Sequence, residues 1–179
     1  RKVLLIGQKL AVGSEPALTP RRLLNVDDAK AKYGQGSVLH QMAIGMQGVF
    51  DGLGMLDVYA VAVDDVGVAA SATLTVTGVA VESRVFSLYV GGEQCQVTVS
   101  SGDTAEQVAT KLHAVLLAKA DLPVVPTVEA GVVTLTCRNK GEIGNGLEVA
   151  WQYFDGDCIE FIDCFWKYGH FHNIDSTHP

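Results

Sequence analysis

The sequence has little of what membrane proteins, disulfide-rich proteins and nucleic-acid-binding proteins need. None of its apolar runs approaches the roughly 20 residues of a membrane-spanning helix. Four cysteines among 179 residues are too few for a disulfide scaffold. Basic and acidic side chains number seven and seven in residues 1–66, five and eight in 67–150, and one and five in 151–179. The composition therefore predicts a soluble protein without a nucleic-acid-binding surface.

The motifs of enzymes and cofactor-binding proteins are missing as well. Gly7–Gly13 lacks the G-x-G-x-x-G spacing of a dinucleotide-binding turn, and no helix follows it immediately. Gly141–Gly146 precedes a predicted strand, which favours a strand-connecting turn over an anion-binding loop. His40 and His113 have no serine, cysteine and acid arranged nearby, so each is predicted to be a surface or partly packed side chain. We therefore predict no catalytic residue, no cofactor and no enzymatic activity.

Residues 151–179 are the part of the chain where a metal site could occur, because they contain two cysteines and two histidines close together in sequence. Cys158, Cys164, His170 and His172 have the spacing C-x5-C-x5-H-x-H, which does not match a common zinc pattern. A metal site is therefore a weak alternative, and a packing segment rich in aromatic residues is favoured. This tail has no assigned structure.

Residues 1–66 have the pattern of an incomplete α/β layer. Val3–Ile6 and Met55–Val63 are apolar runs typical of buried strands. Asp27–Tyr33 is predicted to be a short helix, and Gly7–Pro20 a loop. A longer helix is predicted from Ser37 to a glycine exit at Gly52 or Gly54, and its apolar stripe consists of Val38, Met42, Met46, Val49 and Phe50.

A second unit, rich in strands, is predicted for residues 67–150, with the boundary near residue 67. Two short turns, Gly91-Gly92 and Ala130-Gly131, separate alternating runs and predict two β-hairpins. The predicted strands are Thr73–Thr77, Val85–Val90, Glu93–Val99, Val124–Glu129, Val132–Arg138 and Leu147–Ala150. Cys95 and Cys137 lie on the apolar faces of two of them and are predicted to be buried thiols.

One helix is predicted within the second unit, over residues 103–120. Asp103 is the expected N-cap, and Glu106 stands three residues later, as in a capping box. The apolar residues of the segment recur at helical spacing. The fold class is therefore α+β: an incomplete α/β layer (1–66) and a β-rich domain of hairpins packed with one helix (67–150).

The same residues resemble the sheath proteins of Mu-like contractile phage tails. The resemblance covers about residues 1–150, and its pieces occur in the same order as in that family. In the first unit the similar segments are Arg1–Lys9, Asp27–Ala29, Tyr33–Met42 and Val58–Val61. In the second unit they are Leu88–Gly92, Ser101–Ala105, Leu122–Val124, Val133–Thr136 and Lys140–Asn145.

The resemblance implies a structural role rather than a catalytic one. Such subunits polymerise helically around the tail tube, and the sleeve contracts to drive the tube through the host envelope. Residues 1–66 would then belong to the assembling core, and 67–150 would be an insertion displayed outward. The implied partners are other sheath subunits and the tail tube, and the implied location is the virion tail, after assembly in the host cytoplasm.

Family members are much longer than 179 residues, and nothing sheath-like is recognised after Trp151–Tyr153. The chain also begins with Arg1 rather than methionine, so we expect a fragment. A fragment without the arms that link neighbouring subunits is expected to be monomeric. The alternative interpretation of the sequence is a β-rich binding or adhesion module without catalytic activity.

Overall fold

The computed structural model describes residues 2–53, 56–151 and 162–167, which contain helices and three small sheets. The helices are α1 (Val26–Tyr33), α2 (Val38–Gly45) and α3 (Ala105–Ala118). The strands are β1 (Lys2–Gln8), β2 (Arg21–Leu23), β3 (Asp57–Val63), β4 (Ala69–Val76), β5 (Arg84–Val90), β6 (Glu93–Val99), β7 (Val124–Glu129), β8 (Val132–Lys140), β9 (Val149–Trp151) and β10 (Ile162–Lys167). This architecture confirms the predicted α+β fold class.

The first sheet has the strand order β1-β3-β2. Strands β1 and β3 are parallel, and their register runs from Lys2 opposite Asp57 to Gln8 opposite Val63. Strand β2 is antiparallel to β3, with Leu23 opposite Val58. The sequence did not predict β2, because it has three residues and two of them are arginines.

Helices α1 and α2 pack against one face of the first sheet. Each begins at a capping side chain: Asn25 accepts a hydrogen bond from the Asp28 N–H, and Ser37 accepts one from the His40 N–H. The buried residues of this layer are Leu23, Ala29, Tyr33, Leu39, Ala43, Val58, Ala60 and Ala62. Four of them are alanines, which allow the helix backbones to lie close to the strands.

Helix α2 is shorter than the sequence predicted and buries a different face. It ends at Gly45, and a separate π-helical turn covers Val49–Leu53. Glycine costs about 1 kcal/mol relative to alanine inside a helix, so Gly45 followed by Gly48 favours this interruption. The buried residues of α2 are Leu39, His40 and Ala43, and Met42 of the predicted stripe is 38% exposed. The later residues of that stripe, Met46, Val49 and Phe50, follow the helix and pack against the core as predicted.

Both predicted hairpins are present. Strands β5 and β6 pair across Gly91 and Gly92, whose φ angles are 58° and 84°. Strands β7 and β8 are hydrogen-bonded neighbours joined by Ala130 and Gly131, with φ angles of 44° and 84°. Positive φ at both turn residues is what a two-residue hairpin of type I′ requires. The second sheet has the order β10-β4-β8-β7, and the third has the order β6-β5-β9.

Helix α3 begins one residue later than the predicted cap allows. It covers Ala105–Ala118 rather than 103–120, and the hydrogen bond from the Gln107 N–H to its hydroxyl makes Thr104 the N-cap. The Thr104 Oγ1 accepts from the Gln107 N–H at 3.4 Å, and the Gln107 Oε1 accepts from the Thr104 N–H at 2.8 Å. Asp103 instead accepts from the Ser100 N–H and from Lys111 Nζ. The predicted pair of Asp103 and Glu106 was therefore wrong by one position.

The chain divides into two compact units, and segments distant in sequence join in each. Unit 1 consists of Arg1–Ala69, Lys119–Val125 and Cys137–Gly141. Unit 2 consists of Ala70–Ala118, Pro126–Thr136 and Glu142–Pro179. The buried side chains of unit 2 come from its strands and from α3, where Leu112 and Leu116 face the interior.

The capping of α3 can be tested with two threonine substitutions. Thr104→Ala is expected to lower the free energy of unfolding by about 1 kcal/mol, because it removes the hydroxyl that satisfies a first-turn N–H. Thr110→Ala is the matched control on the exposed surface of the same helix and should be neutral or slightly stabilising. Urea denaturation followed by circular dichroism measures both. Equal losses in the two variants would contradict the assignment of Thr104.

Candidate assembly surface

The first sheet has a helix-covered face and a second face that carries exposed apolar side chains. Leu4 and Ile6 of β1 are 55% and 57% exposed, although both are large hydrophobic residues. Directly opposite them on β3 lie Tyr59 and Val61, which are half-buried. Residues opposite each other in adjacent strands point to the same side. We call these four side chains the open face.

Charged residues border the open face at one end. Lys2 Nζ lies 5.6 Å from the centre of the Tyr59 ring, and Arg22 forms an ion pair with Asp57 at 2.8 Å. Both partners of that pair are largely exposed, so it contributes at most about 1 kcal/mol. Covering the half-exposed Leu4 and Ile6 completely would contribute about 1 kcal/mol each. Most of the free energy that a contact with this surface could gain would therefore come from its apolar residues.

The open face corrects part of the sequence prediction. Val3–Ile6 was predicted to be a buried strand, but burial applies to one side only: Leu5 packs on the helix layer, while Leu4 and Ile6 face outward. In the part of the chain that the structure describes, β1 is also an edge strand, with β3 as its single neighbour. Parallel strands are normally covered on both faces. The all-apolar sequence of β1 is typical of a strand that is covered on both faces, but the described residues cover only one of its faces.

A buried polar cluster stabilises the loop before α2, and His40 is its centre. His40 was predicted to be a surface or partly packed residue, but it is 1% exposed. Its Nδ1 accepts a hydrogen bond of 3.1 Å from the Gly36 N–H, so this nitrogen carries no proton. Burial lowers the pKa of His40, and Lys30 acts in the same direction, while Asp121 and Asp27 act against it. His40 is therefore neutral and structural.

Asn139 extends the polar cluster to the end of β8. It is 5% exposed, and its side-chain oxygen accepts a 3.0 Å hydrogen bond from the Val38 N–H at the start of α2. Its amide nitrogen donates to Asp65 Oδ1 at 3.0 Å, and the Lys140 N–H donates to the same oxygen at 2.8 Å. Asn139 and Asp65 thereby connect β8 to the start of α2 and to the segment after β3.

Arg138 and Asp121 make further contacts between these segments of unit 1. The Arg138 side chain donates to the carbonyl oxygens of Leu122 and Ala120, and it lies against Gly36, where a Cβ would come within 2.4 Å of it. Asp121 accepts a 2.8 Å hydrogen bond from Gln35 Nε2. Segment 119–125 is thus hydrogen-bonded to the loop between α1 and α2, and segment 137–141 is hydrogen-bonded to the start of α2.

The hairpin of β5 and β6 presents an uncharged polar surface on unit 2. Ser87, which is 6% exposed, lies opposite the exposed Gln96, Tyr89 lies opposite Gln94, and Val85 lies opposite Thr98. Gln94 Nε2 donates to Ser87 Oγ at 2.9 Å, which orders two of these side chains. Val85 is 56% exposed. We call this side of the hairpin the polar face.

The cysteine and metal predictions have different outcomes. Cys95 is fully buried, as predicted, but Cys137 is only half-buried, and burial raises the pKa of its thiol. The side chains of Cys158, Cys164, His170 and His172 lie outside the described residues, so the alternative metal site stays a prediction. Elsewhere in the described segments, no three His, Cys, Asp or Glu side chains come together as metal ligands.

None of the helices in the described segments is long and apolar enough to cross a membrane.

The buried state of His40 predicts an acid-sensitive fold. Its pKa is lowered in the folded protein, so its contribution to stability is complete above the ordinary value of 6.5 and is lost as the pH falls below it. We expect the urea midpoint to decrease between pH 7.5 and 5.5. The variant His40→Gln should have a lower urea midpoint than the wild type at pH 7.5, but its midpoint should decrease less between pH 7.5 and 5.5. In the control His113→Gln, the midpoint should decrease with pH as much as in the wild type, because His40 is still present. Equal pH slopes in the wild type and His40→Gln would contradict this role.

Comparison with known proteins identifies the kind of molecule to which these units belong. No family model matches the chain. A curated relative, the Mu-like prophage FluMu tail sheath protein of Haemophilus influenzae, is 37% identical over 160 residues, which cover 88% of this chain. The chain spans about a third of the length of that relative, 32%. Over the matched residues, the chain therefore belongs to the family of Mu-like tail sheath proteins.

Proposed function

We propose that this chain forms part of a structural subunit of a phage tail sheath, which polymerises helically around the tail tube and contracts to drive the tube through the host envelope. The observation that carries the proposal is the 37% identity to a tail sheath protein over 88% of the chain. The role is structural rather than enzymatic. The partners are other sheath subunits and the tail tube, and the location is the virion tail after assembly in the host cytoplasm.

A sheath needs the same contact to repeat from one subunit to the next. A head-to-tail contact whose rotation does not close generates an open helix. Strand addition suits such a contact, because main-chain hydrogen bonds fix the direction in which the next subunit is added. Contraction is then a rigid-body rearrangement between two packings of the same subunits. It starts from an extended state that is kinetically trapped.

The two parts of the chain have different roles in this proposal. Residues 1–66 belong to the assembling core, and the apolar open face supports this assignment, since exposed apolar surface marks sites of association. Residues 67–150 form an insertion on the outside of the sleeve. The polar face supports that position, because its opposed residues are uncharged and hydrophilic apart from Val85 and Tyr89. Residues 151–179 have no proposed role.

The assembly state separates this proposal from a simple binding module. The 179-residue chain should sediment as a monomer of 19.0 kDa in analytical ultracentrifugation, because its matched residues correspond to only 32% of the length of the tail sheath relative. The full-length Haemophilus relative, expressed alone, should form sleeves of defined helical pitch in negative-stain micrographs. Tubular polymers of the 179-residue chain, or a relative that never polymerises, would contradict the proposal.

The outward position of residues 67–150 can be measured on assembled sleeves. A cysteine at the position of the Haemophilus protein aligned with Gln96 should react with biotin-maleimide and then bind streptavidin along the intact sleeve, because Gln96 is exposed on the polar face. The matched control is the position aligned with Val97, the next residue of β6, which is fully buried. Streptavidin binding at the first position only after the sleeve is dissociated would place this hairpin in a contact between subunits or with the tube.

A further inference from the structure

We propose that the contact between His40 and Gly36 is an acid-sensitive switch. Protonation of His40 breaks this contact and releases the loop between α1 and α2 from segment 119–125, while the first sheet stays folded. The proposal rests on the hydrogen bonds of unit 1 and does not depend on polymerisation or contraction. It differs from a loss of global stability, because it specifies the residues that separate first.

The hydrogen bond of Gly36 is the contact that a proton on His40 would break. Gly36 is buried, and its N–H donates to His40 Nδ1 at 3.1 Å. A protonated imidazole carries a hydrogen on each nitrogen, so Nδ1 becomes a donor that faces a second donor. The hydrogen bond is then lost, and a buried N–H without its acceptor favours separation of the two groups.

The loop cannot move without displacing segment 119–125. A Cβ on Gly36 would come within 2.7 Å of the Leu122 carbonyl oxygen, so the two backbones are in close contact. The neighbouring Gln35 donates from Nε2 to Asp121 Oδ1 at 2.8 Å. Both contacts depend on the position of the loop, and a shift of Gly36 therefore releases segment 119–125 as well.

Charged groups on three neighbouring segments face this part of unit 1. Burial is the largest effect on His40 and lowers its pKa. Asp121 acts against burial, Lys30 of α1 acts with it, and Asp27 of α1 acts against it. Strand β8 contributes the guanidinium of Arg138, which donates to two backbone carbonyl oxygens. Because burial prevails, the imidazole is neutral at pH 7 and the contact is closed.

The pH range of the switch follows from the direction of this shift. Above the ordinary value of 6.5, His40 is neutral in the closed and in the open loop. Below 6.5 the open form binds a proton more readily than the closed form, so acid favours opening. The opening constant then increases by up to about tenfold for each pH unit, until the pH reaches the pKa of the closed form.

Hydrogen exchange at pH 7.5 and 5.0 tests whether the opening is local. Rates are corrected for the intrinsic effect of pH on exchange. Peptides covering 34–40 and 119–125 should then exchange at least ~10-fold faster at pH 5.0. Peptides of β3 should exchange equally at both pH values, because the first sheet stays folded. Equal acceleration in β3, or none in the loop, would overturn the proposal.

The variant His40→Asn separates the proton from the contact. The Oδ1 of an asparagine can take the place of Nδ1 and accept the Gly36 N–H, but it does not titrate. Exchange of the loop should be close to that of the wild type at pH 7.5 and should not accelerate at pH 5.0. The control His113→Asn should accelerate as the wild type does. Acid-induced release in His40→Asn would contradict the switch.

Two charge variants test the switch without any change to His40. Asp121→Asn keeps an oxygen for Gln35 but removes a negative charge, so the midpoint of release should move to lower pH. Lys30→Gln removes a positive charge, so the midpoint should move to higher pH. Exchange of the loop is followed from pH 7.5 to 5.0 at low ionic strength, where exposed charges are screened least. Midpoints that stay the same, or that move in the reverse directions, would overturn the proposal.

Discussion

The packing of two short helices on one face of a parallel strand pair is the constraint on which the first unit depends. Alanines at positions 29, 43, 60 and 62 are fully buried, so helix and strand backbones approach closely. Each helix has only eight residues and would not be stable alone. The capping side chains Asn25 and Ser37 and the contacts to the sheet compensate for this shortness. Among the described residues, nothing covers the opposite face of the sheet, so Leu4 and Ile6 are exposed there.

The polar cluster around His40 lies where segments of unit 1 that are distant in sequence come together. Asn139 is about a hundred residues from Val38, yet its side-chain oxygen accepts a hydrogen bond from the Val38 N–H at the start of α2, and Arg138 lies against Gly36 in the loop before it. A buried polar group without a partner costs about 1–3 kcal/mol, so each of these bonds matters more than a surface contact would.

Local signals predicted much of the second unit. Glycine pairs and the Ala130-Gly131 turn predicted both hairpins, because positive φ at two adjacent residues is demanded by the twist of the flanking strands. The cap of α3 was misplaced by one residue, since Asp103 and Thr104 are both good N-caps and only the hydrogen bonds to Gln107 distinguish them. Helix α2 was predicted too long because the apolar stripe continued through two glycines into a separate turn.

The sequence by itself determined the fold class, the two hairpins, the presence of the two longer strands of the first sheet and the resemblance to tail sheath proteins. All of these depend on local patterns: alternation, turn residues and the order of short motifs along the chain. Only the tertiary structure decided that His40 is buried, that Asn139 caps the start of α2 from a distance, and that Leu4 and Ile6 lie on an uncovered face. Burial and exposure depend on which segments meet in space, and an apolar strand has the same sequence whether its second face is covered or open.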